Sequence, residues 1–302
     1  MHKIITLLFI TALFCLKTQA QNIGPYSEVS FTAGTTYYLG DLNDVHFGLA
    51  QPAASFNFKR NFDGRIAFKV GVLIGELRGN DKENLVDTAK INRNLHFKSP
   101  IYELSGVFEY NFLPYESGNY NYPFTPFVFA GIGIFQFNPS ARQFDTDNVY
   151  DNDLNNSNNP FIELQPLGTE GQFSSNYPER TPYQLTQISI PLGVGFKVSL
   201  GRKFSMSAEY GIRKTFTDYI DDVGGTYADP AYLFSNNVDA AYLSDRTLAL
   251  QEFLGTNPSL ERINDWHENA GTQRANANDW SDWYTFAGIS IIFKINQNKA
   301  CF

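Results

Sequence analysis

The sequence predicts an all-β chain that forms a single closed antiparallel transmembrane β-barrel of about eight strands, with short turns at one end and long loops at the other. Three observations carry this prediction. Apolar and polar residues alternate with a period of two in successive segments, short and long connections alternate along the chain, and the chain opens with an export-type segment.

The first twenty residues have the features of a signal peptide that is removed on export. Lys3 supplies a positive start, a short apolar run follows, and Thr18 to Ala20 form a small-x-small cleavage pattern. Residues 21–302 would then form one barrel domain in the outer membrane. The alternative, a lipoprotein cleaved before Cys15, is disfavoured because the bulky Phe14 occupies the position that normally holds a small residue.

Charge and cysteine content exclude several classes of protein. Loss of residues 1–20 removes two of the 23 basic residues and none of the 31 acidic ones. The formal net charge therefore changes from −8 to −10. Such a chain does not suit nucleic acid, whose phosphates need a basic face. One cysteine, Cys301, survives cleavage, so an intramolecular disulfide framework is not expected.

The alternation predicts eight strands, each with one face toward lipid and the other toward the lumen. A helical period of 3.6 would mix the two sets of residues. The fifth strand is apolar on both faces, so its orientation stays open. The predicted strands cover residues 28–39, 52–58, 65–77, 102–112, 124–137, 187–199, 204–213 and 283–294.

The connections between these strands alternate in length. The links at 60–64, 113–123 and 201–202 are short, whereas long loops lie at about 80–98, 139–181 and 220–279. Transmembrane barrels have short periplasmic turns and longer outer loops in this alternation. A periplasmic β-sandwich also has strands with alternating apolar and polar residues, but one face of each of its sheets meets water. Nothing in that architecture makes every second connection between strands short.

The predicted lumen carries four acids and four bases among glycines and serines. An eight-stranded barrel has an interior that side chains just fill, and buried charges need partners. We therefore expect a packed charge network rather than an ion path or transport site. Its candidate members are Glu28, Lys69, Glu103, Glu109, Lys197, Glu209, Arg213 and Lys294.

No catalytic, cofactor or metal site is predicted. Asp44 and His46, like Asp265 and His267, have a spacing that suits an acid-oriented base, but both pairs fall in loops. His96 has no local partner in a serine hydrolase arrangement. The acidic residues 218, 221 and 222 lack the ligand spacing of a calcium loop, so a solvated loop is expected there, as for the Asn/Asp-rich segment 145–159.

Several segments together resemble the PorG-like outer-membrane barrels of the Bacteroidota type IX protein secretion system. They follow the family order over most of the chain, and PLGTEGQ and TFTDYIDDV are the most specific of them. The candidate family-motif loop within the latter contains Thr217, Asp218, Tyr219, Asp221 and Asp222. The matching segments are 34–42, 94–110, 125–139, 166–172 (PLGTEGQ), 188–197, 215–227 (beginning TFTDYIDDV), 243–246 (LSDR) and 282–284 (DWY).

The resemblance implies a non-enzymatic role. Proteins of that family look like outer-membrane anchors for a periplasmic ring of a PorK-like lipoprotein and a PorN-like partner, with no cofactor and no small-molecule substrate. The tail at 296–302, with Cys301, departs from a barrel that ends at its last strand. Alternatives are a generic barrel that acts as an adhesin or stabilises the membrane through its long loops, and a barrel enzyme based on His46 or His267. A passive porin is disfavoured by the small strand number.

Overall fold

The computed structural model describes residues 23–83, 87–143, 160–234, 237–247, 266–275 and 281–295, in which eight long strands close into a barrel. The strands are β1 (Tyr26–Leu39), β2 (Gln51–Asn61), β3 (Ile66–Asn80), β4 (His96–Asn111), β5 (Phe124–Phe137), β8 (Thr186–Ser199), β9 (Phe204–Thr215) and β10 (Trp283–Ile295). Two short strands, β6 (Ser140–Arg142) and β7 (Phe161–Glu163), form a hairpin within one loop. The predicted closed barrel of about eight strands is confirmed.

All neighbouring strands pair antiparallel, in the order β3-β2-β1-β10-β9-β8-β5-β4, and the pairing of β3 with β4 closes the ring. The closing pair is long, since it runs from Ile66 opposite Tyr110 to Asn80 opposite His96. Closure leaves no free strand edge, so backbone N–H and C=O groups are paired within the protein. That is the condition for a sheet to exist in lipid.

Short and long connections lie at opposite ends of the barrel. We call these ends the turn end, with residues 62–65, 112–123 and 200–203, and the loop end, with the described residues 40–50, 81–83, 87–95, 138–143, 160–185, 216–234, 237–247, 266–275 and 281–282. The first residue of β1 and the last residue of β10 both lie at the turn end, because Ser27 pairs with Ile295. The predicted alternation of loop lengths is therefore present.

Several predicted strands are too short, and β2 and β4 are examples. β2 continues to Asn61 and β4 begins at His96, whereas the sequence reading ended the former at residue 58 and began the latter at residue 102. The missed end of β2 consists of the polar residues Lys59, Arg60 and Asn61, whereas the missed start of β4 mixes polar and apolar residues and contains Pro100. Asn57, Lys59 and Asn61 are buried and continue the lumen-facing set of β2, so a polar strand end was mistaken for a turn.

The outer wall carries an apolar belt. Large apolar residues that point outward are exposed on every long strand, while their neighbours in sequence point into the lumen. Examples, one per strand, are Phe31, Phe56, Val72, Leu104, Ile132, Val194, Met206 and Ile291. This surface is that of a barrel that spans a membrane. Separately, none of the helices in the described ranges is long and apolar enough to cross a bilayer.

β5 turns its aromatic face into the lumen. Phe127, Phe129 and Phe135 are buried, whereas Ile132 and Ile134 face outward. The inward rings lie against glycines of β8, and a Cβ atom added to Gly193 would lie 2.3 Å from Cζ of Phe129. Sequence alone did not determine this orientation because both faces of the strand are apolar.

Among the described residues, three short α-helices lie in the loops at the loop end: α1 (Thr88–Arg93), α2 (Pro230–Phe234) and α3 (Val238–Ser244). α1 begins after Asp87, whose Oδ1 accepts a hydrogen bond from the N–H of Ala89 at 2.9 Å. It ends at Asn94, which adopts the left-handed conformation with φ of 62°. These helices give the long loops an ordered structure of their own.

Candidate functional site

Four lumen charges form a connected cluster near the turn end of the barrel. Lys59 Nζ lies 2.9 Å from Glu28 Oε2 and 3.4 Å from Glu109 Oε1, and Lys197 Nζ contacts that same oxygen of Glu109. All four side chains are buried. Lys59 was missed by the sequence analysis, because β2 had been ended one residue before it.

Two further ion pairs lie in the lumen and one lies outside it. Lys69 Nζ is 2.9 Å from Glu209 Oε2, and Arg213 Nε is 3.1 Å from Glu103 Oε2. Lys294 does not join them, since its Nζ lies 2.8 Å from Oε1 of Glu116 in a connection at the turn end. The structure thus places seven of the eight candidates in lumen pairs and one at the rim.

Little free volume is left between these pairs. The cavity lined by Lys69, Glu103, Glu209 and Arg213 has a volume of about 20 Å³, which is room for about one water molecule. The aromatic residues of β5 add to the filling, as Lys197 Nζ lies 4.6 Å from the centroid of the Phe127 ring. In the described residues this part of the lumen is a packed core and not a water-filled channel.

The long loops fold over the mouth of the barrel. We call residues 164–185, 216–234, 237–247 and 266–275 the cap. Ile220 and Val223 of the cap are buried in the same apolar cluster as the barrel residues Tyr38, Phe97 and Tyr284. Burial of apolar surface on this scale fixes the loops to the barrel.

Arg274 joins three segments of the cap. Its Nη1 donates to Glu170 Oε1 at 3.2 Å and to the carbonyl oxygen of Asp222 at 2.5 Å. On the other side Nε donates to the carbonyl oxygen of Ser244 at 3.1 Å, and Nη2 donates to that of Leu243 at 3.4 Å. The guanidinium is buried, so these acceptors take the place of water.

Segments of the family resemblance that lie far apart in the chain meet in this cap. Thr169 and Glu170 belong to PLGTEGQ, and both contact the segment that begins TFTDYIDDV. Oγ1 of Thr169 donates to Oδ2 of Asp222, and Glu170 Oε1 accepts from the N–H groups of Gly224 and Gly225 at 3.1 Å each. The most specific motifs therefore form one contact surface.

The candidate family-motif loop packs against the barrel mouth and against PLGTEGQ. The Tyr219 ring stacks on that of Tyr183 at 4.7 Å, and its hydroxyl donates to Glu170 Oε2 at 3.2 Å. The carbonyl oxygen of Thr217 accepts from the N–H of Asp282 at 2.9 Å. Asp218 lies near enough to Asp282 for their charges to interact, and that interaction adds to the rise in the pKa of Asp282.

The expectation of a solvated acidic loop is wrong for Asp221 and Asp222. Both are buried, with exposed fractions of 2% and 0%. Fixed donors replace their hydration, since Asp221 Oδ1 accepts from the N–H of Val223 at 3.0 Å and Asp222 Oδ1 accepts from the hydroxyl of Tyr183 at 2.7 Å. These donors come from residues that the sequence does not mark as partners.

One hydroxyl group contacts two carboxyl groups where the cap meets the barrel. The Tyr38 hydroxyl oxygen lies 2.6 Å from Asp221 Oδ2 and 2.7 Å from Asp282 Oδ1. A hydroxyl group has one proton and donates to one acceptor, so the other contact requires a proton on a carboxyl group. Burial raises the pKa of Asp221 and Asp282 well above the usual range, and the neighbouring charge of Asp41 raises both further.

Because these buried carboxyl groups bind a proton, we expect the cap to be more stable at acid pH than at alkaline pH. Burial raises the pKa of Asp222 as well, to about 6. A carboxyl whose pKa is raised by folding binds its proton more tightly in the closed cap, so stability is lost as the pH rises from the unfolded value of about 3.9 through the raised pKa. We expect slower amide hydrogen exchange in residues 217–223 at about pH 5 than at about pH 8, after correction for intrinsic rates.

A variant and a control test the origin of this pH dependence. Asp282→Asn removes one titrating group and should reduce the difference in exchange between the two pH values. Asp239→Asn, on the half-exposed side of α3, should leave it unchanged. Equal protection of residues 217–223 at both pH values in the unmodified protein would contradict a proton on the buried carboxyl groups.

His46 does not form the pair with Asp44 that its spacing suggested, and the pairing of His267 with Asp265 stays a prediction. His46 Nδ1 lies 3.1 Å from the Tyr37 hydroxyl, while Asp44 Oδ2 lies 3.2 Å from Lys90 Nζ. His267 Nδ1 lies 2.8 Å from Asp229 Oδ2, and Asp265 is outside the described residues. His96 Nε2 accepts from the N–H of Arg142 at 3.1 Å. Within the described ranges, no group of three or more His, Cys, Asp or Glu side chains could hold a metal ion.

Other sequence predictions fall outside the described residues. They are the signal peptide at 1–20, the Asn/Asp-rich segment 145–159, and the tail at 296–302 with Cys301.

Solved structures with a similar arrangement are small bacterial barrels of low sequence identity. The attachment invasion locus protein Ail of Yersinia pestis is 6% identical, with 90% of this chain and 100% of that chain covered and a TM-score of 0.39. Neisserial surface protein A is 8% identical, with 90% and 99% covered and a TM-score of 0.40. The outer membrane enzyme PagL is 13% identical, with 89% and 99% covered and a TM-score of 0.28.

No curated protein matches the sequence. One protein family does, over residues 2–162, which is more than half of the 302 residues. That family is described as a domain of unknown function, DUF6089. The chain belongs to this family.

Proposed function

We propose that this protein is a non-enzymatic outer-membrane component of a type IX protein secretion machinery, where it anchors or organises a periplasmic ring that contains a lipoprotein. The observation that carries the proposal is the meeting of PLGTEGQ and TFTDYIDDV in the cap. These segments support the family resemblance, and a barrel that only had to span the membrane would not need them in contact with each other.

The packed lumen favours a role as an anchor for other proteins over a role as a channel for transported molecules. Seven of the predicted charges are used in ion pairs within the lumen, and the cavity beside them has room for about one water. Cargo proteins or nutrients would need a far wider interior, as porins with 16 to 18 strands provide. A filled barrel instead gives a rigid body on which other proteins can be positioned.

The turn end is the face proposed for the ring. Short turns of such barrels face the periplasm, so the turns, the start of β1 and the end of β10 would all face it. This end offers the exposed Tyr120, with 84% of its surface accessible, and the ion pair of Glu116 with Lys294. The proposed partners there are a PorK-like lipoprotein and a PorN-like protein, and outer-membrane lipids surround the belt.

The proposal is tested by gene deletion and complementation in the source organism, with export of cargo proteins as the measured quantity. We expect deletion to abolish export, and complementation by the intact gene or by a His46→Ala/His267→Ala variant to restore it. The double variant removes the candidate bases of an enzyme. Normal export by the deletion strain would overturn the proposal.

A second function is favoured by the ordered cap itself. A generic barrel that acts as an adhesin or stabilises the membrane would present the cap to the exterior, and the cap residues are held by buried hydrogen bonds. In that case deletion would lower cell attachment or resistance to detergent and leave export unchanged. The same strain therefore distinguishes the two functions.

A further inference from the structure

The connection between β1 and β2 folds back over the outer wall of the barrel. Tyr37 and Phe31 lie on the same outward face of β1. Tyr37 is nevertheless fully buried, whereas Phe31 is 55% exposed. The difference arises because residues 44–49 cover it. The Phe47 ring lies 5.1 Å from the Tyr37 ring and 5.9 Å from the ring of Tyr210, which points outward from β9.

Small residues on β10 make room for this arrangement. β10 lies between β1 and β9, and it places Thr285 opposite Tyr37 and Ala287 opposite Tyr210. The two tyrosine hydroxyls meet above it at 2.8 Å, and His46 Nδ1 lies 3.1 Å from the first. Hydroxyl groups on a lipid-facing wall need such partners, because the bilayer core supplies none.

The loop is held in this position at a conformational cost. Phe47 and Leu49 adopt left-handed backbone conformations, with φ of 63° and 52°, which are unfavourable for residues other than glycine. Asp44 fixes the start of the segment through its 3.2 Å contact with Lys90 of α1. The result is that Val45 and Phe47 stay exposed, with accessible fractions of 56% and 60%.

From this placement we infer that residues 44–49 form a wedge whose Val45 and Phe47 side chains insert among the acyl chains of the outer leaflet. Lipid is the occupant because the patch continues the belt directly. Val194, opposite Tyr210 on the neighbouring strand, is itself exposed to lipid at 56%. The wedge would fix the depth of the loop end in the bilayer, as interfacial aromatic residues do. It requires only a barrel in a membrane and does not depend on the secretion role.

The test uses single cysteines that carry an environment-sensitive fluorophore, in a Cys15→Ser/Cys301→Ser background, with the full chain reconstituted in phosphatidylcholine vesicles. Phe47→Cys and Val45→Cys each place the fluorophore in the wedge. Val45→Cys keeps the Phe47 side chain, so it tests the wedge with its aromatic residue present. Phe31→Cys is the control within the belt. Phe173→Cys, which is 55% exposed on the cap, is the matched control in water.

Spin-labelled lipids should quench both wedge sites to the same extent as the Phe31 site, and aqueous iodide should quench only the Phe173 site. Quenching of the wedge sites by iodide and not by lipid would overturn the inference. So would protection from both quenchers, since that result would mean that a second copy or another protein covers the patch.

Discussion

Substitution of Arg274 by alanine is expected to open the cap while the barrel stays folded. It leaves the carboxylates of Glu170 and Asp222 buried without their cation and removes the donors that hold the carbonyl groups of Leu243 and Ser244. Breaking a buried pair in this way costs about 3–5 kcal/mol. That is enough to populate an open cap, because loops over a barrel mouth unfold locally at lower free energy than the strands.

Limited trypsin digestion measures the opening. Cleavage after Arg246, which is only 5% exposed in the closed cap, should become fast in Arg274→Ala. The barrel should keep the gel mobility of a folded protein in unboiled samples. Arg274→Lys retains the positive charge but loses the several N–H donors of the guanidinium, so its cleavage rate should be intermediate. Arg202→Ala at the turn end should be cleaved as slowly as the unmodified protein. If trypsin cut Arg274→Ala no faster than the unmodified chain, Arg274 would not hold the cap.

Substitution of Glu109 by alanine is expected to destabilise the barrel itself. The carboxylate is shared by Lys59 and Lys197, and Lys197 is fully buried. Removing it leaves an ammonium group uncompensated, at a cost of about 3–5 kcal/mol in the free energy of unfolding. Urea-induced unfolding in detergent micelles, followed by the loss of β-sheet circular dichroism, measures this difference.

The pair at the turn end provides a matched control. Glu116 lies 2.8 Å from Lys294, but its side chain is 26% exposed, so Glu116→Ala should cost less than about 1 kcal/mol. In addition, Glu109→Gln combined with Lys197→Met neutralises both partners and should recover most of the loss. Equal effects of Glu109→Ala and Glu116→Ala would contradict a lumen held by buried charges.

The barrel could be predicted because its main constraint repeats along the chain. β10 and β8 show the alternation between lipid and lumen at nearly every position, so their faces and most of their length follow from the sequence. β5 does not, since its inward phenylalanines are as apolar as its outward isoleucines. Lys59 was missed for a related reason, because a lumen-facing polar residue at a strand end resembles a turn residue.

The cap could not be predicted from local patterns. Arg274 is separated by 104 residues from Glu170 and by 52 from Asp222, and nothing in their immediate surroundings marks them as partners. The acidic residues 221 and 222 look like a solvated loop until their distant donors are known. Only the family resemblance pointed to these segments, and it did so without indicating that they touch.

The most direct test of the central proposal is affinity purification of the tagged protein from detergent-solubilised outer membranes, with mass spectrometry of the proteins that co-purify. The anchor account predicts that the ring lipoprotein and its partner are recovered in a near-fixed proportion to the barrel. Recovery of the barrel without either ring component would contradict it, and would leave a barrel that acts through its cap outside the cell.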